Sequence, residues 1–179
     1  MADILIQTIG FLGVIAFIVS YQLKSNRSLY LFQLLGSLLF CIQFFLLEAY
    51  SGCLSMVLNI LRYALLTKYN QWEWVRRKEL AYIFCAAFAI VLIFTWAGPV
   101  TILAFAASSV STVFYWTNNA KLIRAANLFC ASPCWLVYDI FAGSWGGVLN
   151  EAITLTSIIV SVYRFGWKAL GDPDSEFQK

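Results

Sequence analysis

The chain has 179 residues, 61% of them hydrophobic and 12% charged, with a mean hydropathy of +0.78. Soluble domains are about 45–50% apolar and about 25% charged, so these values argue against a water-soluble fold and for a single membrane domain. The net charge of +3 is too small to call for nucleic acid, and without a histidine the chain lacks the usual zinc, haem and proton-relay ligand.

Seven apolar runs follow one another. The first, residues 4–22, has Asp3 rather than Lys or Arg in front of it. No small-x-small cleavage site follows, and Lys24 and Arg27 come after it, so it reads as a retained helix rather than a signal peptide. Residues 29–47 form the second run, residues 48–52 a tight turn and residues 53–67 the third. Residues 68–79 are polar and hold Trp72, Trp74 and the basic run Arg76-Arg77-Lys78. The fourth run, residues 80–97, is broken by Gly98-Pro99, and Pro99 suits the first turn of the next helix. Residues 100–116 are the fifth run and residues 122–142 the sixth. Within the sixth, Pro133 frees the carbonyl near Phe129 and is expected to kink the helix. Gly143, Gly146 and Gly147 are expected to turn the chain into the seventh run, residues 148–163, which a polar tail follows. Each run approaches the ~20 residues that cross ~30 Å of hydrocarbon. Their apolarity is continuous rather than alternating, which speaks against strands.

Charge placement sets the orientation. With seven crossings, the N-terminus and the loops after helices two, four and six share one side and contain no Lys or Arg. Every other Lys and Arg except Arg62 falls on the opposite side. The N-terminus is therefore expected outside and the C-terminus inside. The five cysteines form no Cys-x-x-Cys, and Cys130 and Cys134, four apart, read as small packing residues.

Three helices, a connector and three helices allow two parallel repeats. At an offset of 94, Val19 meets Val113, Tyr21 meets Tyr115, Arg27 meets Lys121, Phe44 meets Tyr138 and Gly52 meets Gly146. After a gap, Val57-Leu58-Asn59 matches Val148-Leu149-Asn150. The expected layout is repeat one over 4–67, a connector helix over 80–97, repeat two over 99–164 and a cytoplasmic tail over 165–179.

Residues 121–164 strongly resemble the YgjV family of bacterial inner-membrane proteins. The carrying residues are Arg124, Cys134-Trp135, Ala142-Gly143-Ser144, Gly146-Gly147, Glu151 and Tyr163-Arg164-Phe165. In the first half, Phe44-Phe45-Leu46-Leu47, Tyr50 and Leu58-Asn59 followed by Arg62 resemble it too. The resemblance implies an inner-membrane location and little about activity. The three-one-three plan, with an Asn in helices three and seven, is also similar in architecture to the SWEET, PQ-loop and PnuC-type transporters, which move sugars, amino acids or vitamins. The chain departs from them in having no Pro-Gln pair and no proline in its first half. That departure counts against SWEET-like gating and against sugar, and leaves Pro133 as the hinge.

Polar groups inside apolar runs name the candidate site. A carboxylate or guanidinium within a membrane helix costs on the order of 2.5–3.5 kcal/mol on insertion scales unless paired or wetted. Glu151 and Arg62 carry that cost, so each serves a solute or pairs with the other, or else Glu151 reaches the outer interface and Arg62 snorkels to the cytoplasmic face. Asp139 lies about one turn from the outer end of helix six. Asn59 and Asn150 could bind a ligand or join helices. Trp135 and Tyr138 share a helix with Asp139 and join it as candidates; aromatics near helix ends commonly anchor at the interface, while Trp135, deeper and near Pro133, could stack on a solute. No Ser-His pair, metal cluster or phosphate-cradling Gly loop followed by Lys is present, so neither an enzyme nor a cofactor is expected. The expectation is a multi-pass protein whose partners are the lipid bilayer and a small polar solute. A scaffold with a closed polar core is the alternative. A carrier requires a wetted pocket lined by these residues, whereas a scaffold requires Glu151 and Arg62 directly paired.

Overall fold

The computed structural model describes residues 2–22, 26–69, 71–117 and 120–169. Lys24 and Lys179, used in the orientation argument, and most of the expected tail lie outside the described residues. Among the described residues every regular element is helical. They are α1 (Ala2–Gln22), α2 (Asn26–Leu46), α3 (Tyr50–Leu66), a 3₁₀ turn (Glu73–Arg76), α4 (Glu79–Phe94), α5 (Val100–Trp116), α6 (Ala120–Ala126), a π segment (Asn127–Ala131), α7 (Ser132–Ala142) and α8 (Trp145–Ala169). The stretch from α6 through the π segment into α7 is continuous, which leaves seven helical rods.

Asp3–Ser20 and Leu122–Ala142 are long and apolar enough to cross a membrane unaided. Tyr50–Leu66, Glu79–Phe94 and Val100–Trp116 are shorter apolar helices. At 17 residues, α3 spans about 25 Å, a few ångströms under a typical hydrocarbon core. Local thinning of the bilayer accommodates such a shortfall at modest cost.

The helix ends follow local chemistry. Gly98, at φ 114°, takes a conformation that L side chains rarely adopt, and α5 starts just after Pro99. The α7–α8 turn departs from expectation. Only Gly143 turns the chain, at φ 70°. The Ser144 amide bonds to the Asp139 carbonyl at 2.9 Å and the Gly143 amide to the Ile140 carbonyl at 3.3 Å, a Schellman closure. Gly146 and Gly147 are already helical and serve close packing instead. The same closure ends α2. There the Ala49 amide reaches the Phe44 carbonyl at 2.9 Å and the Glu48 amide the Phe45 carbonyl at 3.2 Å, with Glu48 at φ 58°.

The helices close a ring. α1 packs on α2, α2 on α3, α3 on α5, α5 on α7, α7 on α8, and α8 back on α1. α4 sits outside this ring against α3 and α5, through Ala81, Phe84 and Phe88 beside Trp116. The Trp116 indole also donates to the Val75 carbonyl at 2.9 Å, which ties the 3₁₀ turn to the end of α5.

The burial pattern departs from that of a water-soluble protein, with polar side chains buried among the apolar core and large apolar ones exposed. Phe94 is 82% exposed, Ile93 72% and Phe141 72%, while Gln33, Gln43, Asn59, Arg62 and Asp139 are buried. Large exposed apolar faces around a polar interior suit lipid outside, where no water can satisfy a polar group.

Candidate solute-binding site

A cavity of about 90 Å³ lies inside the ring. A void needs about 10–15 Å³ on this measure to hold one water, so it has room for several. Asn59, Arg62, Trp135, Asp139, Asn150 and Glu151 line it. The sequence singled out all six.

Arg62 comes from α3 and is 2% exposed. Its Nη1 donates to Ser111 Oγ at 3.1 Å and to Thr112 Oγ1 at 2.7 Å, and its Nη2 donates to Tyr63 Oη at 3.1 Å. Both α5 hydroxyls donate onward to the Ser108 carbonyl, so they accept from Arg62 with their lone pairs. The guanidinium carbon lies 4.8 Å from the Tyr63 ring centroid and 5.0 Å from that of Tyr115. Small residues on α5 let the guanidinium in, and the aromatic faces favour its charge. Its Nε has no partner.

Asp139 sits on the last turn of α7 and is 3% exposed, with Oδ1 unpartnered. The Schellman closure swings α8 back so that Gly147 lies directly beneath this carboxyl. A Cβ on Gly147 would overlap it. Glu151, half-buried one turn further along α8, accepts from Asn150 Nδ2 at 3.1 Å, and the Ser132 hydroxyl also bonds to it. Asn59 donates weakly to Met56 Sδ at 3.8 Å and leaves its Oδ1 unpartnered.

Hydrogen bonds tie α1, α2 and the α7–α8 turn together at one end of the ring. Gln7 Nε2 donates to the Gly143 carbonyl at 2.9 Å, Gln43 Nε2 to Gln7 Oε1 at 3.2 Å, and Ser144 Oγ to Gln43 Oε1 at 3.0 Å. Gly146 meets the backbone of Gly10 so closely that a Cβ would stand 2.7 Å from the Gly10 carbonyl carbon. Phe44 stacks on Trp135 with centroids 6.2 Å apart.

Tyr138 is the one predicted binding residue outside the cavity lining. Its hydroxyl instead meets Ser51 Oγ at 2.8 Å and accepts from the Gly52 amide at 2.7 Å. It therefore satisfies an amide in the first turn of α3, where helical amides lack partners of their own. Pro133 opens α7 directly after the π segment, where the Ser132 amide reaches back to the Asn127 carbonyl. That wide turn brings Asn127 to the cavity wall. Sequence reasoning missed Asn127, and it missed Ser37 and its buried neighbours Gln33 and Gln43 on α2. Their spacing places these three α2 residues along one helix face, a signal that the apolar run masked.

A family model described as a bacterial inner membrane protein, Imp-YgjV, matches residues 4–169. The chain belongs to the Imp-YgjV family. The match spans every helix of the ring and α4. No curated protein and no solved structure matches the chain. Imp-YgjV membership accounts for the lipid-suited exterior, and the cavity is the feature of this fold that asks for a function.

Proposed function

We propose that this protein crosses the inner membrane seven times, N-terminus outside and C-terminus inside, and admits a small polar solute through the central cavity. One observation carries the reading. Glu151 and Arg62, each costly within a membrane helix, open on a shared cavity and bond to neutral neighbours rather than to each other. A closed scaffold would neutralise them against one another.

The packing order favours two parallel repeats. A half-turn that carries α1 to α5, α2 to α7 and α3 to α8 maps the ring onto itself. At a uniform offset of 95 residues, Glu48 pairs with Gly143 in the two turns, and α3 and α8 start together. At the same offset Ser37 pairs with Ser132, Phe40 with Trp135, Phe44 with Asp139, Met56 with Glu151 and Asn59 with Thr154, all on the cavity wall. Asn59 and Asn150, matched in the sequence, stand four residues out of this register. Four residues is about one helical turn, which is why both still reach the cavity. Carrier sites commonly lie at such repeat interfaces. The π segment before Pro133 supplies the hinge, since wide turns of this kind mark places where helices bend.

Swelling of proteoliposomes tests the reading. Entry of glycerol, glucose, glycine, 4-aminobutyrate and uridine is followed by light scattering after an osmotic step. At least one solute is expected to enter ten-fold or more faster than in protein-free liposomes, with the gain lost in Glu151→Gln. Equal rates for every solute with and without protein would sink the carrier reading.

A further inference from the structure

Four buried polar side chains on the cavity wall have an atom left unsatisfied: the Ser37 hydroxyl, which can turn to suit either kind of partner, and Asp139 Oδ1, Asn59 Oδ1 and Arg62 Nε. Ser37 is 1% exposed, and Asp139, Asn59 and Arg62 are 3%, 5% and 2% exposed. Orphaned buried polar atoms are rare in folded proteins and each calls for an explanation. Here they share one void, and they ask for different things. The two oxygens need donors, and the Nε–H needs an acceptor. Water could meet the hydrogen bonds. It would leave a buried acid at one end of the void and a guanidinium at the other without countercharges.

We infer that the site takes a small zwitterion, its ammonium against Asp139 and Glu151 and its anionic group toward Arg62. The inference deepens the carrier reading and rests on it. Polarity along the cavity supports the orientation. Asp139 is on the last turn of α7 and Glu151 near the start of α8, both at the outer end. Arg62 lies twelve residues past the start of α3, roughly 18 Å along its axis and about 9 Å deeper than Glu151. Phe44 and Trp135 line the same cavity, and aromatic faces favour an organic ammonium over a bare inorganic cation. A zwitterion adds no net charge to the membrane interior, yet supplies opposite charges where each is missing. An amine alone leaves Arg62 without an anion. A carboxylate alone leaves Asp139 without a cation. A neutral polyol satisfies hydrogen bonds and neither charge.

Thermal unfolding of the purified full chain in detergent separates these cases with matched probes: 4-aminobutyrate, butylamine, butyrate and 1,4-butanediol, plus glycine as a shorter zwitterion. A ligand that binds only the folded state raises the midpoint, by roughly 5–10 °C at about a hundred-fold excess over its Kd. A zwitterion is expected to give that rise. The three partial analogues are expected to give less than a fifth of it, and Asp139→Asn and Arg62→Gln to abolish it. Stabilisation by butylamine or by 1,4-butanediol equal to that of 4-aminobutyrate overturns the inference. So does stabilisation by neither zwitterion. The panel is read on the unaltered protein, so a variant that fails to fold does not blunt the test. Solute-dependent swelling with no zwitterion preference would leave the carrier reading standing and remove only this inference.

Discussion

Arg62 and Glu151 face one cavity from α3 and α8, and neither is the other's partner. The guanidinium is held by three hydroxyls and two tyrosine rings, the carboxylate by Asn150 and Ser132. Opposite charges inside one membrane domain ordinarily find each other, because desolvation costs several kcal/mol per ion. Holding them apart costs stability unless something else mediates, and the shared cavity is where a mediator would sit.

Arg62→Lys is expected to behave as a severe change. An ammonium cannot match the planar fork that meets Ser111, Thr112 and Tyr63 together, nor stack between two rings. Stability should fall by on the order of 2 kcal/mol and solute affinity by at least ten-fold. Thermal midpoint and ligand titration, read side by side, check both.

Gly147→Ala and Gly146→Ala should separate function from folding. Alanine at 147 displaces the Asp139 carboxyl, a side chain with some freedom to move. Alanine at 146 drives into the Gly10 backbone, which has none. We expect the first to lose solute entry while keeping most of its stability. The second should lose about 1–3 kcal/mol, as overpacking typically costs. Swelling rates and melting midpoints of the pair discriminate them, and equal loss of stability in both contradicts the assignment.

Tyr138→Phe is predicted to weaken the protein without touching the solute. It removes the acceptor for the Gly52 amide and the bond to Ser51. A buried donor left unpaired costs about 1–3 kcal/mol. Ligand affinity measured well below the melting temperature should match the native protein. A ten-fold change in Kd would place Tyr138 in the site after all.

Pro133→Ala restores an amide that can bond to the Phe129 carbonyl and lets the π segment relax to α-helix. The variant should melt a few degrees higher and pass solute more slowly, because Asn127 rotates off the cavity wall. Hydrogen exchange across residues 127–133 should slow in step. Unchanged swelling would deprive Pro133 of its hinge role.

Much of this was legible in the sequence because a membrane interior makes polar residues conspicuous. Arg62, Asp139 and Glu151 stand out in apolar runs, and three helix boundaries follow from Gly98-Pro99 and Gly143. The register of the two halves was harder. Apolar helices resemble one another at many offsets, and the shared Val-Leu-Asn stands four residues from the offset of 95 proposed above. Tyr138 looked like a cavity residue because its neighbours Trp135 and Asp139 are. A tyrosine's partner across 87 residues of chain is a tertiary fact that spacing does not carry. The Tyr63–Arg62–Tyr115 sandwich is hidden for the same reason.

Two identical three-helix chains assembled about a two-fold axis would have to present the same residue on both walls of a shared void. An acid at one level would appear twice, or not at all. In the two-repeat reading proposed above, joining the halves covalently through the outlying α4 lifts that restriction. Phe44 and Met56 can then stand on one wall where Asp139 and Glu151 stand on the other. In that reading, fusion into a single polypeptide is what lets the two walls of the chamber differ at one level.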